Sequence, residues 1–327
     1  MLTAGRGRYS LDGSTRMRER PIGDLVTSLN NLGAWVTGVG STPADPRMLC
    51  PPLVIHANRL PGGQTSIRGD LSSQFLSGLL MVAPLAQRSV TITVDGDVYS
   101  KPYIDLTLTV MSEFGVQVAR EKYERFTINP QKYISSGTYA IESDASAASY
   151  FFAAPAICGG SVEVRNISRN SLQGDIAFLD VLSQMGCTVV EKGDSIQVTG
   201  PEQLRGVNVD MSDISDTAMT LAAIAPFAAS PTTIQGIESS RVKESDRVSA
   251  TVTELRRLGV NVEEHQDGMT IHPCQTIYPS SIRTYDDHRI AMAFALVGLR
   301  VPGISIENPD CVRKTFPDYF RVLESLQ

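Results

Sequence analysis

The chain lacks most of the features that mark a specialised class. No apolar run approaches the roughly 18 to 20 residues needed to span a bilayer. The opening Met-Leu-Thr-Ala-Gly-Arg-Gly-Arg is basic but has no apolar stretch of the kind that forms a secretory signal. Both absences predict a cytoplasmic protein with no membrane partner. The five cysteines (Cys50, Cys158, Cys187, Cys274, Cys311) are odd in number, scattered and without CxxC spacing. That pattern argues against a disulfide framework and predicts no metal site. Of the four histidines, His56, His265 and His272 stand alone, and only His288 has charged neighbours on both sides. Net charge is −6, and no basic stripe with interleaved aromatics occurs, which argues against nucleic acid as a partner.

What is present is an ordinary globular composition, 42% hydrophobic and 20% charged, in 327 residues. That length buries a large core and predicts two domains. The cations are concentrated: Arg16, Arg18 and Arg20; Arg241, Lys243 and Arg247; Arg313 and Lys314. Local concentration lets an acidic protein bind anions.

Four segments share one pattern, an amphipathic helix closed by glycine and followed by a β-rich run. The glycines are Gly33, Gly115, Gly186 and Gly259, the last three 71 and 73 residues apart. Each fits a helix C′ position, where positive φ is needed. Earlier helix starts recur at Ser72, Ala145, Thr217 and His288, at spacings of 73, 72 and 71. The repeat reads strand, helix, strand, helix, hairpin, which predicts α/β layering. Residues 64–130, 138–200 and 207–275 read as whole repeats; 1–60 carries a back half and 282–327 a front half.

Polar clusters sit at the strand-to-helix turns: Ser72-Ser73-Gln74, Ser100-Lys101-Pro102-Tyr103, Asp144-Ala145-Ser146, Ser171 to Asp175, Asp216-Thr217, Lys243-Glu244-Ser245 and Asp286 to Arg289. N-capping explains the short polar residues, Asp144, Ser146 and Ser171 in particular. It does not explain Lys243, Arg247 and Arg289, read here as first-turn cations opposed to the helix dipole unless an anion compensates. A bound carboxylate or phosphate would do so. Arg16 to Arg20 precede a helix that Pro21 is expected to start, although a solvated charged edge reads equally well. Arg313 and Lys314 precede a second helix expected to begin at a proline. Asp216, Glu244 and Lys314 are the acid–base candidates, each set among opposite charges.

Taken together, these motifs resemble the 5-enolpyruvylshikimate-3-phosphate (EPSP) synthases, the target of glyphosate. The resemblance rests on Leu-Asp-Gly-Ser-Thr-Arg-Met-Arg-Glu-Arg-Pro-Ile-Gly-Asp-Leu-Val (11–26), Ser-Ser-Gln-Phe-Leu (72–76), Ser-Lys-Pro-Tyr-Ile-Asp (100–105) and Ser-Leu-Gln-Gly-Asp (171–175). It rests equally on Arg-Val-Lys-Glu-Ser-Asp-Arg (241–247), Thr-Tyr-Asp-Asp-His-Arg (284–289) and Lys-Thr-Phe-Pro-Asp-Tyr-Phe (314–320). It implies βαβαββ repeats forming two inside-out α/β barrel domains, here 1–141 and 142–327, with helix N-termini facing the cleft between them. It implies transfer of the enolpyruvyl group of phosphoenolpyruvate to the 5-hydroxyl of shikimate 3-phosphate, with release of phosphate and without metal or organic cofactor, on the route to chorismate and aromatic amino acids. Ser72, Ser73, Gln74, Ser100 and Tyr103 would hold shikimate 3-phosphate. Asp216 and Lys243 would bind its ring hydroxyls. Arg20, Arg247, Arg289 and Lys314 would surround phosphoenolpyruvate, and Asp216, Glu244, Lys243 and Lys314 would carry the chemistry. Ser239-Ser240 departs from the family's Asn/Ser-Trp pair at that place.

Two family signatures, Leu-Pro-Gly-Ser-Lys-Ser and Gly-Asn-Ala-Gly-Thr-Ala, are not found. The expectations that follow are an incomplete first domain, a second domain lacking the strand that the family's N-terminus supplies, and weak turnover by this chain alone. A complete fold would be monomeric, and an unfinished domain is open to association. The alternatives left open are a non-catalytic chain that still binds shikimate 3-phosphate, and a related enolpyruvyl transferase.

Overall fold

The computed structural model describes residues 1–40, 43–70, 72–135 and 137–326. The chain divides into two compact units, residues 1–140 and 141–327.

The N-terminal unit opens with β1 (Arg6–Leu11), α1 (Gly23–Asn31), β2 (Val36–Gly38) and β3 (Leu53–Asn58), in the sheet order β1-β3-β2. One whole repeat follows: β4 (Gly63–Arg68), α2 (Ser73–Val82), β5 (Val90–Asp95), α3 (Lys101–Glu113), β6 (Ala119–Glu121) and β7 (Arg125–Ile128), ordered β4-β5-β7-β6. β4 runs parallel to β5, so α2 and α3 both start at the carboxyl ends of neighbouring strands. Leu76, Leu79, Leu80 and Val82 of α2 pack on Ile92, Phe126 and Ile128 of the sheet.

The C-terminal unit runs α4 (Ala145–Cys158), β8 (Ser161–Arg165), α5 (Phe178–Gln184), β9 (Thr188–Lys192) and β10 (Ser195–Thr199). The next repeat is β11 (Asn208–Asp210), α6 (Ala218–Ile224), β12 (Thr232–Gln235), α7 (Arg247–Arg257), β13 (Val262–His265) and β14 (Gly268–Ile271). β15 (Ser281–Ile282), α8 (His288–Arg300), β16 (Ser305–Ile306) and α9 (Tyr319–Glu324) end it. α4, α6 and α8, the first helices of their repeats, pack on one another in the middle. Their faces are small or apolar almost all round, with Ala148, Ala153, Ala222, Ala223, Ala291 and Ala293 buried. A helix of that kind belongs inside a core and not at its edge. The strands alternate instead: Ser161, Glu163 and Arg165 of β8 are exposed while Val162 and Val164 between them are part-buried. Helices therefore form the interior and sheets the outside.

The glycines after α1, α3, α5 and α7 all take positive φ, between 80° and 104°, as their C′ places require. Three expectations are corrected. α1 starts at Gly23 and α9 at Tyr319, each two residues beyond the proline expected to start it. At Gly23 a Cβ would stand 2.0 Å from the Pro46 carbonyl oxygen, so close backbone approach requires glycine at this first position. Residues 138–200 are not a whole repeat, because their sheet has three strands, β8-β10-β9, and no strand precedes α4. Asn166, at φ 56°, accepts the Ser143 N–H on its carbonyl at 2.8 Å, and its side chain donates to the Ile141 carbonyl at 2.9 Å. The chain is tied to the end of β8 and not along it. Finally, Ser146 does not cap α4: Asp144 accepts the Ala147 N–H at 3.0 Å, while the Ser146 hydroxyl donates to buried Asp175.

No helix among the described residues is long and apolar enough to cross a membrane.

Candidate active site

Parallel strand pairs recur in the C-terminal unit, β11 with β12 and β15 with β16. Open α/β sheets place ligand-binding side chains beyond the carboxyl ends of such strands. Every candidate of this unit lies in those segments. Asp216 is in the 3-10 turn Ser215–Thr217 ahead of α6. Lys243 and Glu244 follow the turn Glu238–Val242, and Arg247 is the first residue of α7. Arg289 is the second residue of α8, and Lys314 ends the turn Pro309–Lys314. Lys243 thus stands before α7 and not in its first turn.

Arg247 is the hub, its side chain 2% exposed. Asp287, which is fully buried, takes Nε at 2.8 Å and Nη2 at 3.2 Å. Asp216 Oδ1 takes Nη1 at 2.9 Å, and Glu244 Oε2 takes Nη2 at 2.7 Å. The second oxygen of Asp216 accepts from Arg289 at 2.8 Å, and Glu244 Oε1 accepts from Lys314. Ser245 donates to Asp287 at 3.0 Å, and Asp287 caps α8 by accepting the Arg289 N–H at 3.0 Å. The cations at the helix starts are therefore compensated by carboxylates of the chain itself, where the sequence suggested a bound anion.

Burial alone would raise the Asp216 carboxyl, but Arg289, Arg247 and Lys243 outweigh it and hold the group below the ordinary range. Glu244 follows the same logic: burial raises it, while Arg247 and Lys314 pull it far lower. Burial and Arg289 push His288 down, so it is neutral at pH 7; its Nδ1 is buried, 3.7 Å from Asp287 Oδ1. Burial drives the Tyr150 phenol, close to Arg289, up to about 12.

Both carboxyls have folded-state pKa values below their unfolded ones. Their stabilising effect is complete above the unfolded range, about 4 to 4.5, and is lost as pH falls through it towards the folded values. Urea midpoints should therefore fall steeply below pH 4, and less steeply in Glu244→Gln. Equal acid sensitivity in the two chains would show that Glu244 does not contribute.

In the N-terminal unit, Ser72 caps α2 by accepting the Gln74 N–H at 3.3 Å, and Ser73 is the first residue of that helix. Ser100 takes φ 55° ahead of α3 and is buried, and Tyr103 lies in the first turn. One turn on, the Ser77 and Thr107 hydroxyls meet at 2.8 Å, which brings the starts of α2 and α3 side by side. Arg20 ends the turn Met17–Glu19 that leads into α1, while Arg18 pairs with Asp12 at 2.6 Å and Arg16 with Glu19 at 3.3 Å. Two other cations lie outside the network. Arg241 pairs with Asp246 and Glu264, both at 3.0 Å, and Arg313 pairs with Asp310 on the surface.

Sequence reasoning placed Asp287 in a polar cluster without giving it a role, and passed over Tyr150. Asp287 carried a signal, an acidic residue at a helix start, but that signal reads as a cap. Tyr150 sits inside α4 with nothing local to distinguish it.

A family model described as EPSP synthase (3-phosphoshikimate 1-carboxyvinyltransferase) matches residues 1–323. The chain is 49% identical over 320 residues to the 3-phosphoshikimate 1-carboxyvinyltransferase of Nostoc sp. strain PCC 7120, covering 98% of this chain and 74% of that protein. It is 50% identical over 327 residues to the protein of the same name from Shewanella baltica strain OS155, covering 100% of this chain and 75% of that one. Among solved structures, an EPSP synthase from Acinetobacter baumannii is similar with a TM-score of 0.78 at 24% identity, covering 99% of this chain and 74% of that one, which supports the fold.

Proposed function

The chain belongs to the EPSP synthase family, and from that premise we propose that it transfers the enolpyruvyl group of phosphoenolpyruvate to the 5-hydroxyl of shikimate 3-phosphate. The observation that carries this reading is the pair of carboxylates, Asp216 and Glu244, sharing one buried guanidinium among further cations.

Arg247, Arg289 and Lys314, with Arg20, take the phosphate and carboxylate of phosphoenolpyruvate; guanidinium forks suit both groups. Ser72, Ser73, Gln74, Ser100 and Tyr103 hold shikimate 3-phosphate, with Lys243 and Asp216 on its ring hydroxyls. Glu244 protonates the methylene carbon, leaving C2 electrophilic. The 5-hydroxyl oxygen adds to C2 as its proton passes to Asp216. The tetrahedral adduct then returns a proton from the new methyl group to the Glu244 carboxylate and expels phosphate with the C–O electron pair.

A carboxyl held far below its ordinary range has no proton to give at neutral pH, and a depressed Asp216 is a weak base. Anionic substrate supplies the remedy. As its phosphate and carboxylate engage the three cations, their hold on Asp216 and Glu244 loosens and both carboxyls rise.

The test is phosphate release measured with each substrate alone and with both. Release that requires both, even if slow, supports the reading. No release, together with no calorimetric binding of shikimate 3-phosphate, would overturn it; binding without release would favour a non-catalytic binder.

A further inference from the structure

α7 presents two side chains to the segment that leads into α8, seven residues and so about two turns apart. Arg247 grips Asp287 at the near end. Glu254, fully buried, closes on the far end: Oε2 accepts the Arg283 backbone N–H at 3.1 Å and Oε1 the Tyr285 hydroxyl at 2.8 Å. Arg257, one turn further along α7, pairs with the same carboxylate at 2.5 Å.

Between these two grips, Tyr285 and Asp286 both take φ 54°. Consecutive left-handed residues are resisted by any side chain with a Cβ, and persist only where their surroundings over-determine them. The turn then delivers Asp287 and Arg289 directly to the network around Arg247 and Asp216. A buried carboxylate is costly unless it is paired and fully hydrogen-bonded. Glu254 meets that condition with three donors, two of which belong to the segment containing the turn.

We propose that Glu254 is a positioning residue for the anion-binding end of the site, acting through Tyr285. It locks the left-handed turn so that Asp287 and Arg289 keep one orientation against Arg247 and Asp216. The proposal rests on the reading of Arg247 and Arg289 as phosphoenolpyruvate ligands.

Two variants test it. Tyr285→Phe removes one hydroxyl and nothing else. Glu254→Gln keeps the size but leaves one acceptor oxygen for three donors. In both, amide hydrogen exchange at residues 284–289 should accelerate in the protein without substrates. KM for phosphoenolpyruvate should rise about tenfold while KM for shikimate 3-phosphate stays within about twofold, and in Tyr285→Phe the melting temperature should fall by only a few degrees. Equal changes in both KM values, or faster exchange with phosphoenolpyruvate KM unchanged, would overturn the proposal. If the unsubstituted chain shows no dependence on phosphoenolpyruvate, the functional reading fails. The exchange arm still decides the role of Glu254, because unchanged exchange at 284–289 refutes the lock in either case.

Discussion

Arg247→Met is expected to lower the unfolding free energy of the C-terminal unit by about 3 to 5 kcal/mol, the usual cost of breaking one side of a buried ion network. Methionine fills much of the space of the arginine stem, so the loss is electrostatic and not a cavity effect. Asp216 would keep Arg289, and Glu244 would keep Lys314. Asp287 would lose its cationic partner while remaining fully buried, keeping the Ser245 hydroxyl and the cap N–H as its hydrogen-bond donors among the described residues. An uncompensated carboxylate in that place must either bear the desolvation cost or take up a proton. Arg247→Lys should fall between the two, since it restores charge without the fork that reaches three carboxylates. Urea denaturation followed by far-UV circular dichroism measures the effect. A loss below about 1 kcal/mol would place Arg247 with ordinary surface pairs.

Asp216→Asn should separate catalysis from binding. Loss of a general base lowers kcat by about 10²- to 10⁴-fold. Asparagine keeps the shape but removes the charge that Arg247 and Arg289 now share. Both guanidiniums would then be freer to take a ligand anion, so Kd for phosphoenolpyruvate should not weaken. Calorimetry and turnover, each compared with the unsubstituted chain, check the two halves. A parallel loss of affinity and rate would mean that Asp216 serves only to hold the cations in place.

The repeat and the helix starts were legible because local chemistry fixes them: a C′ glycine needs φ > 0 wherever it stands, as Gly115 and Gly259 do. That Asp216, Glu244, Arg247, Arg289 and Lys314 would meet was read from the family resemblance; the repeats alone showed only that polar clusters stand at the helix starts. The role of Asp287 was not legible, since a helix cap and the buried partner of an arginine have the same sequence signature. The missing strand before α4 was not legible either. A strand exists only through pairing, and the local pattern of Thr138 to Ile141 does not show that Asn166 will take its terminal polar groups. The starts of α1 and α9 were misplaced because proline favours a first turn without showing at which residue the helix begins, Gly23 and Tyr319 here.

Glu244 and Asp216 lie within hydrogen-bonding distance of the same cations that would meet phosphoenolpyruvate. Opposite charges that close together cancel one another's field beyond a Debye length or so. Capture of an anion by Arg247, Arg289 and Lys314, as proposed, therefore gains less from steering over long distances. It depends on exchange at close range, where a ligand must offer enough negative charge to replace two carboxylates at once. If Arg247, Arg289 and Lys314 take phosphoenolpyruvate as proposed, a molecule carrying one anionic group would displace only one of the two carboxylates, and a doubly anionic one both.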